Sequence, residues 1–533
     1  MITDVLCAIC SWIVSSNLVV LICLALVLAY RFGSHNHDFF TSKGIPGPRP
    51  LPFVGNTWQW LLGKVSFFDV FQELYQSFKE HKLFGLFDFM GPVYVLRDFD
   101  LVKQVCIKDF DSFTDRRFQF NEESDPLFSN ALFAIKGTRW RNMRAILSPA
   151  FTGSKMRGMF QFITDYCQKA NDTVIEIVGS TGAKEVDIRD IFKKYSNDII
   201  ASCAFGWEMN VLKDGENEFF RQAKHMTHLN TWQWVKFMMF SSFPRLAKIL
   251  RIRLFDQMTT DFMREAVRIV IEQREKNNVV RPDLIHLLMQ ARDQKLKFGD
   301  FDRESEVNTV EEVSYTPNWT HDDFVSQCAV FLFGGLDTVT NIASFMAHEL
   351  AINQHVQVKL REEIESILND RDGQSVTYED IHSMVYLDQV LTETLRKWPQ
   401  AIFIDRVCTK PYDLNVDGRV ISLKQGDTIW IPALPMHRDP RYFTDPEVFD
   451  PDRFAPDRRD DLGDFVLMAF GIGPRLCLGN RFALMEIKTM FFWLLTKFEL
   501  TRSDKTQHPP KLGKSLMIPE VKDGYWLNLK LRK

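Results

Sequence analysis

The segment from Thr320 to Ala351 constrains the fold most, because it is apolar on nearly every helical face and contains no proline. Thr320 can cap a helix here, and Asp322 and Asp323 favour its positive end. A helix that is apolar all round must be buried, so we expect it to run through the protein interior. A membrane span is disfavoured because Asp337 interrupts an apolar run that is too short to cross a bilayer.

Two glycines, Gly334 and Gly335, stand in the middle of this segment. Each costs about 1 kcal/mol relative to alanine inside a helix, so some gain should offset the loss. The glycines could let a neighbouring helix pack closely. They could instead leave room for a ligand beside the helix, with Asp337 and Thr338 at its edge. The residues alone leave both interpretations open.

The chain carries no charged residue from Val5 to Tyr30. A bilayer core needs about 20 apolar residues in a helix, so this segment is long enough to span it. A cleaved signal peptide would have a basic start and a shorter core, whereas Asp4 precedes this one. We therefore predict a signal anchor in residues 1–31. The positive-inside tendency places the rest in the cytosol, because the span is followed by Arg31, Lys43 and Arg49.

Residues 32–52 begin as a polar stretch and continue with alternating prolines, Pro46, Pro48, Pro50 and Pro52. Proline fixes its own φ and keeps the preceding residue extended. We interpret this region as a hinge and a stiff strut, although a proline-rich peptide ligand is the alternative. The position directly after the anchor favours the strut. The body of the protein would then be residues 53–533.

Composition excludes several classes of protein. Lys and Arg total 65 against 69 Asp and Glu, and a nucleic-acid-binding protein would need a clear basic excess. The chain has nine cysteines, an odd number; three lie in the N-terminal apolar stretch, and the other six contain no C-x-x-C pair. This argues against a disulfide framework or a thiolate zinc site. The cysteines indicate a reducing compartment. The 46 phenylalanines indicate a large dry interior, which is compatible with an apolar ligand.

Helical patterns predominate from about residue 60 to about residue 400, with a few short extended pieces. The polar stretch 296–319 is interpreted as a surface loop. Residues 236–255 mix aromatic with basic side chains. This segment either dips into a membrane surface or is an ordinary amphipathic core segment.

A single thiol, Cys477, lies in the loop "FGIGPRLCLGN", just before a clear helix. A helix start and nearby cations lower a cysteine's pKa, and Arg475 and Arg481 flank this one. Gly473 and Gly479 free the backbone to curl around the sulfur. Without a partner cysteine, zinc is disfavoured, and the thiolate suits a metal that brings most of its own ligands, such as haem iron. A nucleophilic cysteine with a histidine base is the alternative.

Glu393 and Arg396 are three residues apart on one predicted helix face, where opposite charges can pair. Such a pair is usually a solvated contact worth a few tenths of a kcal/mol. The neighbours here are apolar, which favours a buried pair, and Asp452 and Arg453 are available to it.

Five motifs resemble, in order and spacing from about residue 46 to the end, those of the haem-thiolate monooxygenases, the cytochromes P450. They are Phe470-x-x-Gly473-x-Arg475-x-Cys477-x-Gly479, Gly334-Gly335-Leu336-Asp337-Thr338, Glu393-x-x-Arg396, Pro451-Asp452-Arg453-Phe454 and Trp140-x-x-x-Arg144. The anchor and strut are similar to those of microsomal members, and the whole is most similar to the insect and vertebrate branch associated with xenobiotic metabolism. The resemblance implies a mainly α fold with a smaller β portion.

The resemblance also implies roles for individual residues. Cys477 would be the axial ligand of haem b, and Asp337 and Thr338 would deliver protons. The implied haem contacts are Trp140, Arg144, Arg406, Phe470, Arg475 and Gly479. A structural triad would comprise Glu393, Arg396 and Arg453. The candidate substrate contacts are Phe118, Phe133, Val330, Phe333, Ala401 and Phe403.

The implied reaction is insertion of one atom of O₂ into an apolar small molecule. Electrons would come from NADPH through a cytochrome P450 reductase, with cytochrome b5 as a further partner, at the cytosolic face of the endoplasmic reticulum. A haem-thiolate isomerase or dehydratase is one alternative, against which the intact Asp337–Thr338 pair argues. A haem-binding sensor or carrier is the other. The departures from the family pattern remove no required functional group; they are Val339, Gln400, Asp452 and Ala469.

Overall fold

The computed structural model describes residues 19–61, 65–118, 120, 125–227, 231–293, 320–458, 465, 467–513 and 518–532. Within these ranges the chain is mainly helical with a smaller strand portion, as the sequence predicts. The strands are β1 Leu83–Asp88, β2 Gly91–Leu96, β3 Ala183–Asp187, β4 Ile404–Val407, β5 Tyr412–Val416, β6 Arg419–Leu423, β7 Thr428–Ile431, β8 Phe498–Arg502 and β9 Trp526–Leu531.

The helices of the N-terminal half are α1 Val19–Ser34, α2 Phe39–Ser42, α3 Trp58–Leu61, α4 Phe67–Ser77, α5 Phe99–Lys103, α6 Pro126–Ser129, α7 Gly137–Leu147, α8 Gly153–Val178, α9 Ile188–Ile200, α10 Val211–Asp214, α11 Glu218–Thr227, α12 Thr231–Ser242, α13 Pro244–Ile249 and α14 Gln257–Asn277. Those that follow are α15 Leu284–Arg292, α16 His321–Ile352, α17 Gln354–Arg371, α18 Tyr378–His382, α19 Val385–Lys397, α20 Ala433–His437 and α21 Asn480–Lys497.

The predicted internal helix is confirmed as α16. Thr320 caps it, because its hydroxyl accepts from the Asp323 amide while the Asp323 carboxylate accepts from the Thr320 amide. Most of α16 is buried against α9, α11, α14 and α19. It is the one described helix whose length and hydropathy would suit a membrane span, but its burial marks it as a core helix.

The N-terminal helix α1 is apolar and exposed, and its described part is too short for a full span, so it is a weak transmembrane candidate. Most of the predicted anchor, residues 1–18, lies outside the described residues, as does the whole of the predicted surface loop 296–319. The strut beyond α1 is packed against the sheet. Pro46 accepts a hydrogen bond of 2.8 Å from the Gly85 amide, and a side chain on Gly47 would meet the Gly85 carbonyl oxygen at 2.3 Å.

Three small sheets accompany the helices. The largest has the order β1-β2-β7-β4, in which β2 and β7 are parallel and the other pairs are antiparallel. A second sheet has the order β3-β9-β8, and β5 pairs with β6 as a hairpin. The β8 end of the second sheet packs on α16, so the central helix has strands on one side and helices on the others.

The aromatic interior that the composition predicts is present around α16. Phe331 on α16 packs against Phe482 on α21 at 5.2 Å between ring centroids, and Phe345 stacks on Trp398 at 4.2 Å. The first contact fixes α16 relative to α21, the helix that directly follows the Cys477 loop, and the second fixes α16 relative to the end of α19. The position of the thiol relative to the central helix is therefore set by core packing.

Candidate functional site

The loop before α21 adopts a backbone that only glycine supports at two positions. Gly471 has a φ of 88° and Gly473 a φ of 72°, in the left-handed region that other residues rarely enter. A side chain on Gly473 would also lie 2.0 Å from the Cys106 carbonyl oxygen. The loop is closed by a 2.8 Å hydrogen bond from the Cys477 amide to the Phe470 carbonyl.

Cys477 faces a space inside the protein. Its side chain is exposed, yet burial raises the pKa of its thiol, opposed by the Gly479 amide and by the Arg144 and Arg116 cations. This corrects the prediction from the sequence, in which Arg475 and the helix start lower the pKa. The protein alone holds the thiol neutral, and a bound metal would supply the charge that deprotonates it.

Buried arginines gather on one side of this space. Burial lowers the pKa of Arg475 to about 8, helped by the neighbouring Arg116 and Arg406. Burial also lowers the pKa of Arg144 to about 10, with Cys477 opposing and Arg116 contributing. The Nε atoms of Arg116 and Arg406 are buried and have no hydrogen-bond partner in the part of the chain that the structure describes. The cluster therefore has room and donors for an anionic group.

Arg475 is already engaged with the protein itself. Its guanidinium donates to the carbonyls of Thr114 at 2.8 Å, Ile135 at 3.1 Å and Leu132 at 3.4 Å. It also lies 3.9 Å above the Trp140 ring. Arg475 and Trp140 thus fix the backbone around the space. The arginines with unpaired donors are Arg116 and Arg406.

The sequence did not reveal Arg116. It stands in "TDRRF", where Arg117 is the arginine with an obvious partner, since it pairs with Asp88 at 2.6 Å. The pKa of Arg116 is lowered by burial, and the charges around it are those of Asp405, Arg406 and Cys477. No local pattern separates the two arginines, because their partners come from distant parts of the chain.

The two glycines of α16 have different surroundings. Gly335 fits the interpretation of close helix packing, and Gly334 has the open space that the ligand interpretation requires. A side chain on Gly335 would meet Ile200 Cδ1 of α9 at 2.9 Å, so Gly335 allows close packing. Nothing lies within 4 Å of the corresponding position on Gly334, which borders open space. Beside it, the Thr338 hydroxyl donates to the Gly334 carbonyl at 2.5 Å.

Asp337 directly precedes Thr338, but its side chain contacts the neighbouring helix α9. Its Oδ1 is 2.7 Å from the Lys193 Nζ of α9, and both side chains are largely buried. The sequence gave no indication that Lys193 would be the partner of Asp337. The Thr338 hydroxyl adjoins the open space at Gly334, and Asp337 is the neighbouring acid, buried against α9. Groups of these two types can hold and pass protons.

Three of the candidate substrate residues meet in one aromatic cluster. Phe118 contacts Phe237 at 4.7 Å, and Phe133 stacks towards Phe333 of α16 at 6.4 Å. Phe128 contacts both Phe133, at 5.5 Å, and Phe333, at 5.2 Å. We call this cluster the aromatic wall; its members are Phe118, Phe120, Phe128, Phe133, Phe237, Phe240, Phe255 and Phe333.

The remaining candidates lie elsewhere around α16 and the sheet. Val330 and Ala401 are half-buried, while Phe403 packs against Trp430 at 4.3 Å and Phe67 at 5.8 Å, apart from the aromatic wall. The departure Gln400 has a structural use. Its side-chain oxygen accepts from Asn341 of α16 at 3.0 Å, which ties the 400–403 segment to the central helix.

The pair predicted at Glu393 is buried. Arg396 contacts both carboxylate oxygens of Glu393, at 2.7 and 2.8 Å, and Arg453 lies 3.6 Å from the same carboxylate. Asp452 does not take part, since it pairs with Lys359 at 2.6 Å on the surface. The three charged residues join α19 to the segment before the Cys477 loop.

These features test whether haem fits the space. In the described ranges no group of three or more His, Cys, Asp and Glu residues could hold a metal, so a metal at Cys477 must bring its other ligands. Haem b does so, and its propionates are anions of the kind that the unpaired Arg116 and Arg406 donors can bind. Gly334 leaves space on the α16 side. The residues present therefore fit haem.

Comparison with known proteins agrees with this geometry. The family model described as Cytochrome P450 matches residues 45–526. Cytochrome P450 9e2 of Blattella germanica is 39% identical over 95% of this chain and 96% of its own. Probable cytochrome P450 9f2 of Drosophila melanogaster is 39% identical over 96% and 98%, and cytochrome P450 6k1 of Blattella germanica is 32% identical over 96% and 95%. The chain belongs to the cytochrome P450 family of haem-thiolate monooxygenases, which bind haem b through a cysteine thiolate.

Proposed function

We propose that this P450 oxidises lipophilic small molecules, xenobiotic or endogenous, at the cytosolic face of the endoplasmic reticulum membrane. Electrons come from NADPH through a cytochrome P450 reductase, with cytochrome b5 as a second donor. The observation that carries the proposal is the internal thiol, Cys477, beside a surplus of buried arginines. The aromatic wall, which includes Phe333 next to Gly334, favours an apolar substrate.

The roles of the haem contacts follow from their present partners. Bound haem supplies the reduction of O₂ and the transfer of one oxygen atom. Cys477 would supply the thiolate that holds the iron, and the Gly479 amide favours the thiolate form. Arg116, Arg144 and Arg406 would hold the propionates, because they carry positive charge into the space. Phe470 receives the hydrogen bond that closes the loop, while Trp140 and Arg475 fix the neighbouring backbone.

Proton delivery is assigned to α16. Thr338 holds its hydroxyl at the open side of the helix by donating to the Gly334 carbonyl. Asp337 is fixed by Lys193 and can exchange a proton with water that reaches Thr338. This arrangement favours a monooxygenase over an isomerase, which needs no protons from outside. A sensor or carrier would leave the acid and hydroxyl without a use.

Association with the membrane is supported by two exposed apolar surfaces. One is α1, which continues the uncharged segment, so that residues 1–31 form the anchor and 32–52 the hinge and strut before the body 53–533. The other is α13 with its flanks, where Ile249 is 76% and Leu250 is 58% exposed. Basic side chains stand among them; they are Arg245, Lys248 and Arg251.

The test uses the full chain in membranes together with the reductase. Cys477→Ser should lose the long-wavelength absorption of the reduced carbon-monoxide complex, because a serine hydroxyl stays largely protonated. Cys408→Ser is the matched control, since Cys408 is a buried thiol that bonds only to the Lys410 carbonyl among its described contacts. Wild type and control should also show NADPH oxidation that depends on an added lipophile. An unchanged spectrum in Cys477→Ser would refute the ligand assignment.

A further inference from the structure

A buried carboxylate attaches the loop between α13 and α14, residues 250–256, to the segment around α6. Asp125, directly before α6, is 4% exposed, and its Oδ2 accepts a 2.8 Å hydrogen bond from the Leu254 amide. The backbone amides of Phe128 and Phe255 are also near enough to lower the pKa of this carboxyl. One side chain thus joins two segments whose contacting residues are 129 positions apart in sequence.

The same two segments meet in the aromatic wall. Phe128 packs against Phe255 at 4.9 Å and against Phe333 of α16 at 5.2 Å. Leu254 and Phe255 are themselves buried. Any displacement of the 250–256 loop from α6 must therefore break both the Asp125 hydrogen bond to Leu254 and the contact between the Phe128 and Phe255 rings.

The α6 side of this junction is fixed independently. The Ser326 hydroxyl of α16 donates to the Pro126 carbonyl at 3.3 Å. Gln327 of α16 accepts from the Leu132 amide at 3.2 Å and donates to the Asn130 carbonyl at 2.9 Å. Because α16 holds the α6 segment by these bonds, the loop and the exposed α13 before it form the side that can move.

We propose that Asp125 is a positioning residue that closes the substrate cavity by holding loop 250–256, with Phe255, against Phe128. A bulky ligand enters when this attachment releases. The inference rests on the proposed function in one respect, since it takes the aromatic wall as a border of the substrate cavity.

The charge state of Asp125 sets the direction of a pH effect. Burial raises the pKa of Asp125 to about 6, while the Leu254, Phe128 and Phe255 amides and the Arg253 charge on the loop lower it. Since a carboxyl that is hydrated in an open form has an ordinary pKa near 4, the closed form binds the proton more readily. Acid therefore favours closure, and the attachment weakens as the pH rises through about 6.

Two substitutions separate the charge from the hydrogen bond. Asp125→Asn keeps an acceptor oxygen for Leu254 without a charge, so the loop should stay closed at every pH. Asp125→Ala leaves the buried Leu254 amide without its acceptor in the closed form, so it should favour opening. Ser129→Ala is the matched control, because the Ser129 hydroxyl bonds only within its own segment among the described contacts, to Pro126.

The experiment measures azole binding to the haem-loaded full chain by stopped-flow absorbance. Imidazole is small, and clotrimazole carries a bulky aromatic group. With clotrimazole, the wild-type association rate should rise several-fold as the pH increases through about 6, while Asp125→Asn stays slow throughout. At neutral pH, Asp125→Ala should associate about tenfold faster than Asp125→Asn, the effect of leaving one buried amide without its acceptor. Ser129→Ala should behave as wild type, and imidazole should bind all variants alike.

Amide exchange of residues 250–256 gives a second readout that does not depend on haem chemistry. Exchange of the Leu254 amide should be faster in Asp125→Ala than in wild type and slower in Asp125→Asn at neutral pH. Equal clotrimazole rates in all variants, with normal imidazole binding, would refute the role of Asp125 alone. Failure of both azoles to shift the wild-type spectrum would refute the proposed haem site, and this inference with it.

Discussion

Lys193 of α9 and Asp337 of α16 form an ion pair, with 2.7 Å between Nζ and Oδ1, at the interface between the two helices. One turn before Lys193, Arg189 pairs with Glu520 at 2.6 Å. Although burial lowers the pKa of Arg189, Glu520 and Asp337 raise it above its usual value. The acid beside Thr338 is therefore the inner end of a row of charges that begins at the partly exposed Glu520.

Removing the Lys193 cation should lower both the stability of the fold and the amount of product formed per NADPH. Lys193→Met leaves the Asp337 carboxylate largely buried without its partner, and we expect a loss of about 2–3 kcal/mol in the free energy of unfolding. Product formed per NADPH should fall as well, because Asp337 loses its fixed position.

Lys194→Met is the matched control for this variant. Lys194 pairs with Asp190 at 2.7 Å on a more exposed part of α9, so its loss should cost under about 1 kcal/mol and leave product per NADPH unchanged. Denaturant midpoints at neutral pH, with product and NADPH measured together, test both variants. Equal stability of the two variants would contradict the structural importance of the Lys193 pair.

Thr338→Ala should keep haem binding and substrate affinity but lower the ratio of product to NADPH, with more hydrogen peroxide released. The reason is that the hydroxyl at the open side of α16 is lost as a proton donor. Thr338→Ser should restore most of the ratio. The structure reduces the expected contribution of Thr340, whose hydroxyl is fully buried and has no partner in the described ranges. Thr340→Ala should therefore match wild type, and an equal effect of both alanines would contradict the assignment.

The two glycines of α16 should respond differently to alanine. Gly334→Ala meets no neighbour and should gain up to about 1 kcal/mol of helix stability. Its methyl group enters the open space beside Thr338, so imidazole should bind the haem at least about fivefold more weakly, an overpacking cost near 1 kcal/mol. Gly335→Ala pushes on the end of Ile200, and imidazole affinity should not change. Spectral titration checks both, and the reverse order would refute this assignment of the glycines.

Much of α16 could be predicted because its signals are local. The cap at Thr320, the apolar faces and the missing prolines all lie within the segment that they describe. The same holds for the loop at Gly473, where residue type and conformation coincide. Arg116 and Lys193 could not be found in this way. Their importance comes from Arg406 and Asp337, which are distant in sequence.

The raised pKa of Cys477 is a further feature that the local sequence could not predict. The sequence places Arg475 two residues away, but in the structure that guanidinium is turned to three backbone carbonyls. Desolvation, which depends on the whole surrounding fold, decides the direction. The parallel pairing of β2 with β7 is likewise a contact between distant segments that no local pattern indicates.

The orientation in the membrane needs a reporter other than the natural sequons. Asn171 is followed by Asp172 and Thr173 but is buried, and its amide donates to the Trp493 carbonyl at 2.7 Å, so it cannot carry sugar on either side. Asn318 lies outside the described residues. Val280→Thr creates a sequon at the exposed Asn278, where α14 ends. We expect no glycan there in the native anchor context.

A control makes that result informative. The same variant with a cleavable secretory leader in place of residues 1–31 should acquire sugar at Asn278, since the site is exposed. A glycosidase-sensitive shift in the natively anchored variant would instead place the body in the lumen and overturn the proposed orientation.

Two buried glutamates should respond oppositely to loss of charge. Glu393 contacts the Arg396 guanidinium through both oxygens, so Glu393→Gln breaks a buried pair and should cost about 3–5 kcal/mol. Glu486 of α21 has no ion pair in the described structure, and burial raises its pKa to about 8, opposed by the Ser196 hydroxyl. The folded protein therefore favours the protonated, neutral form of Glu486.

The pH dependence for Glu486 follows from that shift. The unfolded chain ionises this carboxyl near 4.5 and the folded chain near 8, so its contribution to stability is complete below pH 4.5 and is lost as the pH rises to about 8. Glu486→Gln has no proton to lose. It should match wild type near pH 5 and exceed it near pH 9 in denaturant midpoint, while Glu393→Gln is weaker at both. A Glu486→Gln variant that is less stable than wild type at pH 9 would show instead that an ionised, paired carboxylate stabilises the core.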